Sequence, residues 1–135
     1  MLIEAMRLGY RRVIGVEFAR DIASIANHNL SKLSHTWRSS EWSVDSIDAA
    51  EFKSPQQDLL IFMYNPFDDV VLSQVAAWIT RHCEYGHSVH IIYYNPQHAS
   101  ILVARPCLKP FALPIGLKLK LGLLSWHKVA VYSSV

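Results

Sequence analysis

Ile61-Phe62-Met63-Tyr64-Asn65-Pro66 returns thirty residues later as Ile91-Ile92-Tyr93-Tyr94-Asn95-Pro96. Each copy is an apolar run that stops at Tyr-Asn-Pro. Thirty residues is about the length of one strand–helix–strand unit. The repeat therefore predicts two neighbouring buried strands whose carboxyl ends carry the same corner. In open parallel sheets, ligands bind just beyond such ends. Proline after asparagine keeps the asparagine out of helical geometry and fixes how the strand ends.

The flanking sequence extends this pattern. Leu59 to Tyr64 reads as a strand covered on both faces, because its apolar run is continuous. Asp68 or Asp69 can cap a helix whose buried face is Val71, Leu72, Val75, Ala76, Trp78 and Ile79. Gly86 follows its end, and Val89 to Tyr94 is the next strand. Upstream, Leu2, Ile3, Met6 and Leu8 suggest a helix that stops at Gly9. Arg12 to Phe18 is a short strand in which Gly15 allows close approach. Asp21 opens a helix with Ile22, Ile25, Ala26 and Leu30 on its apolar face, fraying at Asn27 and Asn29. Ser31 to Ser40 reads as a polar loop, Trp42 to Ile47 as an edge strand, and Lys53 to Gln57 as a loop. After Pro96 the pattern weakens, and Pro106, Pro110 and Pro114 exclude a regular helix there. Leu117 to Leu121 alternates as a half-wet strand, and Trp126 to Tyr132 is a final strand pairing with it antiparallel. The expected fold is α/β, with a mostly parallel sheet and a C-terminal antiparallel hairpin.

At 135 residues, 51% hydrophobic and 18% charged, the chain is a single globular domain and not a disordered one. No apolar run approaches the roughly 18 residues of a membrane span. Glu4, Arg7 and Gly9 make the first ten residues unlike a signal peptide. Cys83 and Cys107 form no disulfide framework and fit a reducing cytoplasm. Residues 1–84 hold 8 basic and 11 acidic side chains, whereas residues 85–135 hold 5 basic and no acidic ones. That basic half could face an anionic partner such as nucleic acid, but five charges over fifty residues make a thin patch.

Glu17 stands at a strand end directly before a helix, where a carboxylate can accept hydrogen bonds from ribose hydroxyls. Asp48 beside the small Ala49 can bind the amino edge of a base; otherwise it is a turn aspartate. Asn65 offers two amide donors and one acceptor, and Tyr64 and Phe67 wall the corner. Asn95, Pro96 and nearby His98 repeat it. His82, His87 and His90 match no zinc spacing, so no metal is expected. No Ser, Cys or Lys sits in a nucleophile setting.

Taken together, the chain resembles a class I S-adenosylmethionine-dependent methyltransferase of Rossmann-like, three-layer architecture. The resemblance runs through Arg11 to Phe18, Ile22 to Leu30, Asp48 to Phe52, Tyr64 to Phe67, Ile92 to Pro96 and Trp126 to Tyr132. It implies S-adenosylmethionine as cofactor, with Glu17 and Phe18 at the ribose, Asp48 and Ala49 at adenine, and Tyr64 beside the cofactor. It implies Asn65 as the catalytic corner facing the methyl group, with Pro66, Phe67, Asn95 and His98 toward an acceptor that the sequence does not name. The family's first strand and glycine-rich turn should precede the helix at Leu2 and lie between the strands at Val13 and Leu59. Only Met1 stands there, so an N-terminally truncated domain, a fragment, is expected, with weak or no cofactor binding as it stands. The alternative is a non-catalytic Rossmann-like module that contacts an anionic partner. A nicotinamide oxidoreductase shares the carboxylate of Glu17, but Asp48 and the Tyr-Asn-Pro corners argue against it.

Overall fold

The computed structural model describes residues 1–33, 41–64, 67–114, 116 and 128–134. The chain divides into two compact units, Met1–Lys53 and Ser54–Val135.

The first unit opens with helix α1 (Leu2–Arg7). It ends as its sequence predicts. Gly9 takes a φ of 85°, its N–H donates to the Met6 carbonyl at 3.0 Å, and the Tyr10 N–H reaches back to the Ala5 carbonyl at 3.2 Å. This paired closure satisfies carbonyls the helix would otherwise leave open, and the left-handed residue suits glycine. Strand β1 (Arg12–Val16) pairs parallel with β2 (Glu41–Asp45), Arg12 opposite Glu41 and Val16 opposite Asp45. A Cβ on Gly15 would stand 2.9 Å from Leu2 Cδ1, so the close approach read from the sequence is the packing of α1 on β1. Met6, Val13 and Leu30 form the core, with Leu2, Ile3, Trp42 and Val44 packed around them.

Helix α2 (Arg20–Leu33) connects the two strands, and it corrects two expectations. Ile22 and Ile25 are 53% and 61% exposed, while Ala23 and Leu30 are buried. The helix turns its Ala23–Asn27–Leu30 line inward, and Asn27 Nδ2 donates to the Val44 carbonyl at 3.2 Å. Asn27 therefore does not mark a fraying end. Its amide is engaged by β2 instead of competing for the helix backbone, and the helix continues to Leu33.

The second unit is ordered β3-β4-β6-β5 among the described residues. Strand β3 (Leu59–Tyr64), helix α3 (Asp69–Glu84) and strand β4 (Val89–Tyr94) are the strand–helix–strand unit that the repeat predicts. The strands pair parallel, Leu59 opposite Val89 and Tyr64 opposite Tyr94. The thirty-residue spacing of the phrase is thus the register of the ladder. Asp68 caps α3, its Oδ1 accepting from the Val71 N–H at 2.8 Å. Leu72, Ala76 and Ile79 on α3 are fully buried, as are Val89, Ile91 and Tyr93 on β4.

Past β4 lie a short helix α4 (Ala99–Val103) and a short strand β5 (Leu108–Pro110), neither of which the sequence pattern revealed. Strand β6 (Val129–Ser134) runs antiparallel to both β4 and β5. It begins three residues later than predicted; Trp126, His127 and the expected strand at 117–121 lie outside the described residues. The fold is α/β, with parallel pairs in both units and antiparallel strands at the C-terminal side. Strand β3 corrects the remaining expectation. Among the described residues it is an edge strand in its sheet, and Leu60, Phe62 and Tyr64 on one face are 44%, 36% and 53% exposed. A continuous apolar run does not distinguish a doubly covered strand from an edge strand with one uncovered face. No described helix is long and apolar enough to cross a membrane.

Candidate functional site

In the first unit, Glu17 follows β1 directly. Its N–H donates to the Asp45 carbonyl at 3.1 Å, one step beyond the β1–β2 ladder. Its carboxylate turns back on the start of α2, where Oε1 accepts the Ala19 N–H at 2.9 Å. A carboxylate at a helix start is favoured by the amide donors there, and this one is oriented by that bond. Phe18, beside it, is 77% exposed.

Asp48 lies three residues past β2. Its Oδ1 accepts the Ala50 N–H at 2.8 Å, capping a single 3₁₀ turn, Ala49–Glu51. The turn role weighed from sequence is therefore real. It occupies one lone pair of an acceptor group that offers several. Glu17 and Asp48 both stand at the carboxyl ends of the parallel β1–β2 pair.

In the second unit, the ladder register brings the two tyrosines of the repeat together. The Tyr64 and Tyr94 rings stack with centroids 5.0 Å apart and planes 18° from parallel. Asn65 and Pro66 lie outside the described residues. Phe67 is half-buried just before the Asp68 cap.

The second corner is fully described. Asn95 has a φ of 52°, the only positive value at a non-glycine residue among those described. Its N–H donates to the Lys128 carbonyl at 2.7 Å. Asparagine tolerates the left-handed region better than other residues with a Cβ, and such corners cluster at ligand sites. Burial pushes the Tyr93 phenol above its ordinary value, and a hydrogen bond from the His98 backbone draws it partly back. The roles of Tyr93 and Tyr94 were not assigned from sequence, although the repeated phrase carried the signal.

The histidines take structural parts. His82 is buried in α3, with Nδ1 3.0 Å from Ser54 Oγ and Nε2 3.0 Å from the Gln57 carbonyl. It clamps the 54–57 loop to the helix. His87 packs against it, ring centroids 5.0 Å apart. His90 Nδ1 meets Ser133 Oγ at 3.0 Å. Among the described residues no three His, Cys, Asp or Glu side chains converge as a metal site. A hollow of about 250 Å³ lies over Val103, Phe111 and Val129–Tyr132; none of the predicted site residues lines it. Of the five basic residues in the second half, Lys118 and Lys120 lie outside the described residues, and Arg105 turns inward to the Ser73 carbonyl at 3.4 Å.

Comparison with known proteins places this fold. No protein-family model matches the sequence, and no curated protein matches it. Solved structures do. One is HI0767 from Haemophilus influenzae, described as a candidate methylase, which superimposes with a TM-score of 0.61 at 15% identity, over 98% of this chain and 78% of that one. The PH0226 protein from Pyrococcus horikoshii OT3 gives 0.61 at 14% identity, over 98% and 76%. A StiE O-MT segment, residues 961–1257, gives 0.57 at 9% identity, over 98% and 61%. The chain thus spans about three quarters of the first two and less than two thirds of the third. At these identities the likeness is one of fold, and the fold is methyltransferase-like.

Proposed function

We propose that this chain is a class I S-adenosylmethionine-dependent methyltransferase domain, or a truncated remnant of one. The observation that carries the proposal is Glu17. It is a carboxylate at the carboxyl end of a parallel strand, held by the Ala19 N–H at 2.9 Å, in a fold shared with methylase-type structures. The donor set suits a nucleoside. Glu17 would accept ribose hydroxyls, Asp48 the adenine amino group beside the small Ala49, and Phe18 and Tyr64 would give apolar surface to the cofactor.

Bound there, the cofactor would supply an electrophilic methyl carbon on a sulfonium. Transfer of that methyl needs alignment and exclusion of water more than acid–base help. Asn65 would orient the acceptor, and Pro66, Phe67, Asn95 and His98 would form its side of the site. In each sheet the outer edge of β1 and of β3 has no partner among the described residues. Unpaired ladder edges of this kind are ordinarily covered. A cytoplasmic setting, read from the sparse cysteines, belongs to the same proposal.

Calorimetric titration with S-adenosylhomocysteine tests the reading. Weak binding, in the millimolar range, is expected of the chain as it stands, and Glu17→Gln should weaken it by about tenfold, the loss of one charge-assisted hydrogen bond. Micromolar affinity would show the glycine-rich turn to be dispensable. No binding at all, with salt-dependent binding of nucleic acid instead, would favour the non-catalytic module.

A further inference from the structure

Burial separates the two faces of the sheet in the second unit. The buried strand side chains lie on one face: Met63 on β3, Val89, Ile91 and Tyr93 on β4, Leu108 on β5 and Tyr132 on β6. The register brings them together, with Met63 opposite Tyr93 and Ile91 opposite Tyr132. The other face holds no buried side chain among the described residues. Its rows follow from the same register. Tyr64, Tyr94 and Val129 form one row, at the carboxyl ends of β3 and β4. Phe62, Ile92 and Val131 form the next, and Leu60, His90, Ser133 and Lys109 the third.

Aromatic rings dominate the first two rows. Tyr64 and Phe62 are 53% and 36% exposed. The Tyr64 ring lies on that of Tyr94, 5.0 Å between centroids and 18° between planes. Phe111, whose N–H donates to the Val131 carbonyl at 2.7 Å, is exposed and shares a hollow with Val129 and Val131. Charge on this face has one sign. None of the four strands carries Asp or Glu, and residues 85–135 contain neither. Lys109 is exposed in the third row, beside His90 and Ser133, and exposed Lys128 directly precedes Val129. A protein layer closing over the whole face would bury the Lys109 ammonium with no carboxylate on the sheet to pair it, which is costly. A ligand with planar rings and an anionic backbone meets both halves of the surface, rings on the aromatic side chains and phosphates at the lysines.

We propose that this sheet face binds single-stranded nucleic acid, with bases stacked on Tyr64, Tyr94 and Phe62 and phosphates toward Lys109 and Lys128. A four-stranded sheet with aromatic side chains on one face is an established way to hold unpaired bases. A duplex, whose bases are already stacked on one another, offers it no rings. The proposal goes beyond the cofactor reading. It rests on the sheet face and not on Glu17 or Asp48, and Tyr64 is the residue that the two share.

Fluorescence anisotropy of a labelled oligothymidylate of about 12 nucleotides, titrated with the whole chain in the absence of cofactor, tests this. The expected result is micromolar binding at low salt that weakens as salt rises, and markedly weaker binding of a duplex of the same length. Phe62→Ala and Tyr94→Ala should each weaken binding about tenfold, whereas Tyr94→Phe, which keeps the ring, should bind as the wild type does. Lys109→Gln should reduce the slope of log affinity against log salt by about 0.7. If an alanine variant fails to fold, the duplex comparison and the Lys109→Gln slope still decide. Absence of binding at low salt, equal affinity for the duplex, or folded alanine variants that bind unchanged would overturn the proposal. So would a stable dimer that Phe62→Ala dissolves, which would assign the face to a second copy of the chain. With no cofactor present, none of these outcomes bears on the ribose role of Glu17, which the calorimetric titration tests by itself.

Discussion

The two units differ most in how much apolar side chain they bury. Ser54–Val135 encloses Leu72, Ala76 and Ile79 of α3 and Val89, Ile91 and Tyr93 of β4, all without solvent exposure. Met1–Lys53 has a two-stranded sheet and a core cluster centred on Met6, Val13 and Leu30, while Ile22 and Ile25 face outward. Two strands alone are marginal without further packing. The carboxylates read as nucleoside ligands, Glu17 and Asp48, thus stand on the less consolidated unit. The Tyr-Asn-Pro corners stand on the better packed one. The contrast explains why the repeat, with its helix between, is the part of the fold most strongly written in the sequence.

The largest expected effect separates the two cores directly. Leu72→Ala should cost about 4 kcal/mol, the upper range for a leucine whose surroundings cannot collapse into the cavity. Leu30→Ala, the same chemistry in the smaller cluster, should cost about 2 kcal/mol. Equal losses in urea unfolding would break the comparison.

The next effect sharpens where the second unit begins. His82→Ala removes a buried ring that bonds Ser54 Oγ and the Gln57 carbonyl, and should cost about 2–3 kcal/mol. Amide exchange should show the 54–57 loop released while α3 stays protected. Uniform loss of protection would show that the histidine supports the helix itself.

The smallest effect is in acid. Asp58 Oδ1 accepts the Ser88 N–H at 2.8 Å, joining the approaches to β3 and β4. That hydrogen bond, with a second one to the Ser88 side chain and the charges of His87 and His82, holds the carboxyl below its ordinary value. A folded pKa below the unfolded one gives stability that is present above the unfolded pKa and lost as pH falls through the folded one. Asp58→Asn should therefore lower Tm slightly at neutral pH, and the difference from wild type should shrink as the pH falls below the ordinary carboxylate range. A difference that grows in acid would reverse the sign of this account.

Several elements were legible because their cause is local. Gly9 needs no knowledge of distant residues, and neither does the Asp68 cap or the repeated Tyr-Asn-Pro. The misreadings share a different cause. Which line of α2 turns inward depends on Val44, seventeen residues away, whose carbonyl takes the Asn27 amide. The uncovered face of β3 depends on what lies over it, and its own composition carries no trace of that. Helix α4 and strand β5 are too short for a period to register, and β5 ends on Pro110. Of the candidate site, the strand-end positions of Glu17 and Asp48 and the pairing of the two strands that end in Tyr64 and Tyr94 were readable. The left-handed turn at Asn95 and the stacked Tyr64 and Tyr94 rings emerge only once the elements are packed.

The central claim is that the chain recognises a nucleoside at the carboxyl ends of its parallel strands. Backbone amide shifts recorded by NMR during titration with S-adenosylhomocysteine test it most directly. The account predicts movements concentrated at Glu17, Phe18, Asp48, Ala49, Tyr64, Tyr94 and Asn95. Shifts concentrated instead at the opposite strand ends, Arg12, Glu41, Leu59 and Val89, or none at millimolar ligand, would contradict it.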